Sequence, residues 1–265
     1  MSSRPVAIVT GGGTGIGAAT AQTLASADWN VVICGRRMEP LQKIAECTGA
    51  LPIVADASCE KDIQRLVTTT TETFGRLDGV VLNAGVVRPG SVGELSDDDW
   101  QAMVDINLSG PFKLLRAALP HLIAARGAVV GVASAAALRA TNEIPGYNAT
   151  KAGLNMLLQS VAVDYGPRGV RANTVCPGWV RTEMADMEMQ EYGESLGLDR
   201  EQAYARATAL VPARRPATAE EVADVIAWLL SDKARYVSAA VLPVDGGMIA
   251  TDPGAIAFDP RISFQ

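Results

Sequence analysis

Short apolar runs that do not alternate with polar residues recur along this chain, and they restrict the fold more than any other feature. Val6–Thr10, Val31–Cys34, Leu51–Val54 and Gly79–Leu82 read as nearly continuous hydrophobic stretches. A strand with one face in water alternates, whereas a continuous apolar strand is covered on both faces. Gly127–Ala133, Val170–Cys176 and Ala240–Val244 extend the series, with helical or turn-forming stretches between the runs. Right-handed crossovers then wind the chain back and forth over a parallel sheet. The expectation is one α/β domain over residues 1–265: a doubly wound sheet of about seven parallel strands flanked by helices. Its ligand crevice lies at the C-terminal ends of the strands. With 48% apolar and 20% charged residues in 265, the chain has the material for such a core and shows no disorder signature. No repeat, linker or low-complexity segment divides it.

The first run feeds Gly11-Gly12-Gly13-Thr14-Gly15-Ile16-Gly17, and a helical stretch follows from about Ala18 to Ala27. Strand, glycine turn and helix in succession is the context in which backbone amides cradle a pyrophosphate at a helix N-terminus. The Gly-x-x-x-Gly-x-Gly spacing differs from the commoner Gly-x-Gly-x-x-Gly fingerprint, and a ligand-free surface turn is the alternative that the flanking strand and helix disfavour. The second run ends at Gly35-Arg36-Arg37. An acid there would grip ribose hydroxyls; two guanidinium groups suit a 2′-phosphate instead. NADP(H) is therefore the expected cofactor, with NAD(H) a lesser one, on a Rossmann-type fold.

Other polar residues punctuate the strand ends. Asp56 and Ala57 follow the third run, and Asn83-Ala84-Gly85 follow the fourth. Asp97-Asp98-Asp99 opens a long helix running to about Ala125, its acids complementing the helix dipole. Asn107 lies within it, shortly before a kink expected at Gly110-Pro111. Ser134 closes the fifth run, and Tyr147 and Lys151 lie one turn apart on the next helix. A phenol is a weak acid–base group near neutrality, and a nearby ammonium is expected to pull its pKa down. His121 is the only histidine, on a probable helix surface. That argues against a Ser-His-Asp triad and a histidine metal site. The four cysteines (34, 47, 59 and 176) show no metal or redox spacing and are expected to be reduced.

Taken together, Thr10-Gly11-x-x-x-Gly15-Ile16-Gly17, Asn83-Ala84-Gly85, Asn107, Ser134, Tyr147-x-x-x-Lys151 and Pro177-Gly178 resemble the short-chain dehydrogenase/reductase family over about residues 5–247. The resemblance implies Tyr147 as general acid and base, Ser134 as donor to the substrate oxygen, and Lys151 as modulator of the tyrosine and partner of the nicotinamide ribose. It implies that Asn107 holds a water relaying protons toward Lys151. Gly11, Thr14, Gly15, Ile16 and Gly17 then resemble the pyrophosphate turn, Arg36 and Arg37 the 2′-phosphate contact, and Asp56 and Ala57 the adenine contact. Asn83 and Gly85 would line the adenosine ribose. Pro177, Gly178, Val180 and Thr182 would meet the carboxamide and pyrophosphate, and Tyr147 and Lys151 also touch the cofactor. A ketone/alcohol oxidoreductase, a homotetramer or homodimer, is the leading expectation. A 3-oxoacyl-thioester reductase and a non-catalytic nucleotide-binding protein of the same fold are the alternatives, and a methyltransferase would leave the tyrosine–lysine pair without work.

Residues 179–215 read as a lid with Met184, Met187, Met189, Tyr192 and Tyr204 among acids. These methionines either line an apolar substrate pocket or pack the lid onto the body. The net charge of -6 argues against nucleic acid as partner, while Arg126, Arg168 and Arg171 suggest a separate basic patch. No signal peptide or membrane span is read, so a cytoplasmic location is expected. The tail from 248 to 265 carries Ile249, Ile256, Phe258, Ile262 and Phe264 and is expected to pack across a subunit interface.

Overall fold

In the computed structural model, β1 (Val6–Thr10) starts the centre of the sheet, and each following strand is added to one side or the other. The structure describes residues 4–252, 254 and 258. After β1 come α1 (Gly15–Ser26), β2 (Asn30–Gly35), α2 (Met38–Thr48), β3 (Leu51–Val54), α3 (Glu60–Phe74) and β4 (Gly79–Leu82). Next are α4 (Asp97–Val104), α5 (Gly110–Ala125), β5 (Ala128–Val132), α6 (Pro145–Tyr165) and β6 (Arg171–Pro177). The lid contributes α7 (Glu183–Leu196) and α8 (Arg200–Ala207), before α9 (Ala219–Leu230) and β7 (Val241–Val244). The order across the sheet is β3-β2-β1-β4-β5-β6-β7, and every pairing is parallel.

Both faces of this sheet are sealed, as the non-alternating runs require. Ile8 packs on one side with Leu66 of α3, Leu114 of α5 and Leu154 of α6. Its neighbours Ala7 and Val9 pack on the other with Leu24 of α1, Leu41 of α2 and Ile226 of α9. β1 is buried along its whole length, and its Ala7, Ile8 and Val9 serve two separate cores. Two of the cysteines, Cys34 and Cys176, are buried in those cores, and all four are free thiols.

The reversal of winding on either side of β1 leaves β1 and β4 side by side, and this is where the crevice opens. At the opposite end of the same pair, Asp78 anchors the strand starts. Its carboxylate accepts from the Val6 N–H at 2.9 Å and from Arg76 Nε and Nη2 at 2.8 and 2.6 Å. α9 opens on a capping box, with the Thr218 hydroxyl accepting from the Glu221 N–H and the Glu221 carboxylate accepting from the Thr218 N–H.

Three local expectations are corrected. α1 begins at Gly15, not Ala18, so the last three residues of the glycine segment are its first turn. The long helix after Ser96 is broken earlier than Gly110-Pro111: a wider π-helical turn, Asp105–Ser109, separates α4 from α5. Arg171 joins no surface patch, because its guanidinium is spent on the carbonyls of Leu229, Leu230 and Ser231 at the end of α9 and of Val237 before β7. The tail reading falls almost wholly outside the described residues; Phe258 is exposed. No helix among the described residues is long and apolar enough to cross a membrane.

Replacing Asp78 by alanine leaves a buried N–H and a guanidinium without their acceptor. Chemical denaturation of Asp78→Ala should show a loss of about 2–3 kcal/mol in unfolding free energy. A loss below roughly 0.5 kcal/mol would mean that the anchor carries nothing.

Candidate active site

The strand ends deliver their side chains to one crevice. Thr10 ends β1 and acts as a hub: its Oγ1 donates to the Val81 carbonyl at 3.2 Å and accepts from the N–H groups of Asn83 and Ala84 at 2.9 and 3.0 Å. The Asn83 amide in turn donates to the carbonyls of Thr10 at 2.8 Å and Gly11 at 3.2 Å. The ends of β1 and β4 are thereby locked together, and the glycine turn is held from below.

That turn leaves no room for side chains. Gly11 and Gly15 have φ of +64° and +52°. A Cβ on Gly17 would collide with the Gly11 carbonyl oxygen and lie 2.5 Å from Asn83 Nδ2. The first amides of α1 have no intrahelical acceptor, no acid occupies its first turn, and exposed Thr14 is its cap. A bare, backbone-lined helix N-terminus of this kind fits a pyrophosphate.

Arg36 and Arg37 follow β2 at the same edge. Arg36 is exposed, and its charge helps hold the Asp56 carboxyl below its usual range, behind the hydrogen bonds from the Ser58 hydroxyl and N–H. Asp56 therefore reaches the crevice with one oxygen already occupied by Ser58, at 2.7 and 2.8 Å. Arg37 Nη2 lies 3.8 Å from Glu183 Oε2 in the first turn of α7. Ala57 packs its carbonyl on Gly110, where no larger residue fits.

On the other side of the crevice, Asn107 sits buried in the π-helical turn. Its Oδ1 accepts from the Val86 N–H at 2.8 Å, while Nδ2 donates to the Val86 carbonyl at 2.9 Å and to Thr150 Oγ1 at 3.2 Å. Both amide protons are spent, so the side chain clamps the loop after β4 to α6. Gly85 lies beside this clamp; a Cβ there would be 3.1 Å from Lys151 Nζ and 3.3 Å from Asn107 Oδ1.

Ser134 caps a short 3₁₀ turn, Ala135–Ala137, its Oγ accepting from the Ala136 N–H at 3.1 Å. It faces the Tyr147 hydroxyl closely enough to favour the phenolate. Burial outweighs this and pushes the phenol up to about 12, with the charge of Glu188 adding to the rise. The depression expected from Lys151 is absent. Its Nζ stands 5.5 Å from the Tyr147 ring centroid and donates to the Val132 carbonyl at 2.8 Å. Burial brings Lys151 itself down to about 8.

Past β6, Gly178 packs on Asp245, and a Cβ there would lie 3.1 Å from the Asp245 Cα, so a side chain would need that backbone to give way. Val180 buries its side chain in the core and pairs with Ala217 through the Trp179 carbonyl and the Arg181 N–H. Strand alternation turns Val180's own amide the opposite way. Thr182 caps α7 by accepting from the Ala185 N–H at 3.2 Å, and its methyl closes on Gly15. Of the lid residues, Met189 and Tyr204 pack against Ala185 and Ala203, while Met184 and Met187 are exposed. Thr10, Val86 and Thr150 were not legible as site residues; a threonine at a strand end before a glycine turn is the one signal that could have flagged the first.

A crevice at the strand ends, a bare helix terminus on one side of it and a tyrosine–lysine pair on the other define an NAD(P)-dependent oxidoreductase. The chain belongs to the short-chain dehydrogenase/reductase family, with the family model described as Enoyl-(Acyl carrier protein) reductase matching residues 11–249. Protein MoaE of Klebsiella aerogenes is 41% identical over 258 residues, covering 96% of this chain and 98% of its own. Levodione reductase of Leifsonia aquatica is 35% identical over 257 residues, 92% of this chain and 94% of its own. A crystal structure of levodione reductase covers 94% of this chain and 98% of its own, with a TM-score of 0.88 at 34% identity. An actinorhodin polyketide ketoreductase variant crystallised with NADPH covers 94% of this chain and 99% of its own, with a TM-score of 0.88 at 31% identity.

The buried lysine gives a test that needs no substrate. Its folded pKa of about 8 lies below the ordinary 10.5, so between those values the unfolded chain binds more protons and stability rises with pH. Relative to Lys151→Met, the wild type should gain roughly 3 kcal/mol from pH 8 to 10.5. Parallel stability–pH curves for the two proteins would contradict this.

Proposed function

We propose that this chain interconverts a secondary alcohol and a ketone with NADP(H), with Tyr147, Ser134, Lys151 and Asn107 as its working residues. The observation that carries the reading is the convergence of the Tyr147 hydroxyl, the Ser134 hydroxyl and the buried Lys151 ammonium at the strand ends, across the crevice from the glycine turn.

The bound nicotinamide supplies the hydride. The chain's part is to place and neutralise charge. A phenol near 12 carries its proton at neutral pH and can hand it to a carbonyl oxygen as negative charge develops there. Ser134 Oγ uses a lone pair on the Ala136 N–H, which leaves its own proton to donate to the same oxygen. Lys151, at about 8, stays largely protonated near neutrality and opposes the charge left on Tyr147. Asn107 keeps α6 in register with the loop after β4.

Cofactor choice rests on Arg36 and Arg37, which offer guanidinium groups where an acid would favour NAD(H). The likeness to a ketoreductase crystallised with NADPH supports it. Gly11, Gly15, Ile16 and Gly17 would take the pyrophosphate. The outward amide of Val180 would take the carboxamide. A 3-oxoacyl thioester is the second reading, favoured by that same polyketide ketoreductase. Rates with an acetoacetyl thioester against simple cyclic and aryl ketones separate the two. Exposed Trp100 on α4, Phe112 on α5, and Met156 and Val163 on α6 support assembly through these helices, as a homotetramer or homodimer.

In Tyr147→Phe, turnover of any accepted ketone should fall by about 10³-fold while NADPH still binds, read by cofactor fluorescence. Retained turnover would remove Tyr147 from its role and revive a different proton source. The purified enzyme should use NADPH at least about tenfold more efficiently than NADH, the worth of one charge-assisted contact. Equal efficiencies would end the reading of Arg36 and Arg37.

A further inference from the structure

The loop between β3 and α3 is held along one flank of α5. Gly110, Lys113 and Arg116 stand three residues apart on that helix, which brings them to neighbouring turns of the same side. At Gly110 the Ala57 carbonyl oxygen comes so near that a Cβ would lie 2.2 Å from it. Lys113 Nζ donates to the Ser58 carbonyl at 2.9 Å, and Arg116 Nη2 donates to Glu60 Oε1 at 2.6 Å. The two charged contacts differ in weight. Arg116 and Glu60 are each more than half exposed, where an ion pair adds little. Lys113 and Ser58 are half-buried, and a charge-assisted bond to a fixed backbone carbonyl is among the stronger kinds.

Ser58 is the residue that orients Asp56. Its N–H and hydroxyl both donate to Asp56 Oδ1, at 2.8 and 2.7 Å. The Asp56 N–H donates to Asp62 Oδ2 at 2.9 Å, and the Ala55 N–H to the Gly35 carbonyl at 3.0 Å. The carboxylate is therefore fixed close to Arg36 at the rim of the crevice. Asp56 Oδ2 is different: among the described residues no donor reaches it. A half-buried carboxylate with one oxygen pinned and one open can accept from an N–H that the chain itself does not supply.

We propose that Lys113 is a positioning residue for the purine end of the cofactor: it holds Ser58, Ser58 holds Asp56 Oδ1, and Oδ2 is thereby aimed at the exocyclic amine of the base. This rests on the reading of Asp56 and Ala57 as the adenine contact. Lys113 itself touches neither the base nor the reacting atoms, so its effect reaches the cofactor through Asp56. That effect should show only where the amine is present.

A cofactor without the amine isolates it. NADPH and its hypoxanthine analogue, in which a carbonyl replaces the adenine amine, are titrated separately into the enzyme, with binding read by dihydronicotinamide fluorescence. The wild type should bind NADPH about tenfold more tightly than the analogue, the worth of one charge-assisted contact. Asp56→Ala should bring the ratio to about one, and Lys113→Met, which keeps the stem and removes the donor, to below about threefold. Arg116→Met, which alters the exposed pair on the same flank, should keep the wild-type ratio. A full ratio in Lys113→Met beside a lost one in Asp56→Ala would overturn the role of Lys113 and leave Asp56 in place. A ratio near one in the wild type, or one that survives Asp56→Ala, would remove the adenine contact and Lys113 with it. Loss of the ratio in Arg116→Met would also overturn the proposal, by making the effect a general loosening of the loop. These titrations contain no ketone. An enzyme that shows the expected ratios yet turns over no ketone would uphold Lys113 and count against the alcohol–ketone reading.

Discussion

An ammonium held inside the protein is the constraint around which the crevice is arranged. Lys151 reaches it from α6, and its Nζ donates to the Val132 carbonyl at the end of β5. Burial at that depth is tolerable only where the surrounding polar groups are themselves fixed. The fixing comes from both sides. Asn107 fastens the loop after β4 to α6, and Gly85 brings that loop's backbone up to the lysine with no side chain between them. The wide turn at Asp105–Ser109 is what aims Asn107 inward, and π-helical turns recur where a helix must present a side chain that regular winding would carry past.

The second half of the crevice is built from absences of a different kind. The Asn83 side chain holds the carbonyls of Thr10 and Gly11, and Thr10 Oγ1 fixes the start of the loop after β4, so the turn is held in place while the first amides of α1 have no intrahelical acceptor. Positive charge at this end is thus partial and backbone-borne, supplemented by the guanidinium groups after β2. At the other end it is a whole charge on one lysine. An acidic chain can bind an anionic cofactor because these positive features are local and directed rather than spread over its surface.

Much of this architecture was legible in the chain. The non-alternating runs marked all seven strands to within about a residue of their observed ends, because a strand covered on both faces has little freedom in what it may contain. Tyr147, Lys151 and Ser134 stood out as candidates because each stands at a strand end or on the first turns of a helix, whereas Asn107, inside the π-helical turn, stood out only through the family resemblance. Several things were not. Gly15–Gly17 are poor helix formers by propensity and yet open α1, since the tight approach to Gly11 and Asn83 overrides propensity. The break at Asp105 has no proline or glycine at its start to announce it. The influence of Lys151 on Tyr147 was overestimated, because one-turn spacing fixes which face two residues share but not whether burial outweighs their charges.

The contact between Thr182 and Gly15 has a mechanical meaning. One residue both terminates the strand-side loop and starts the helix over the crevice, and its methyl rests on the narrowest part of the glycine turn. α7 is seated on the glycine turn like a hinge pin in its socket. A larger group at position 15 would meet the Thr182 methyl first, so the shape of the turn and the starting point of α7 are set by the same few atoms.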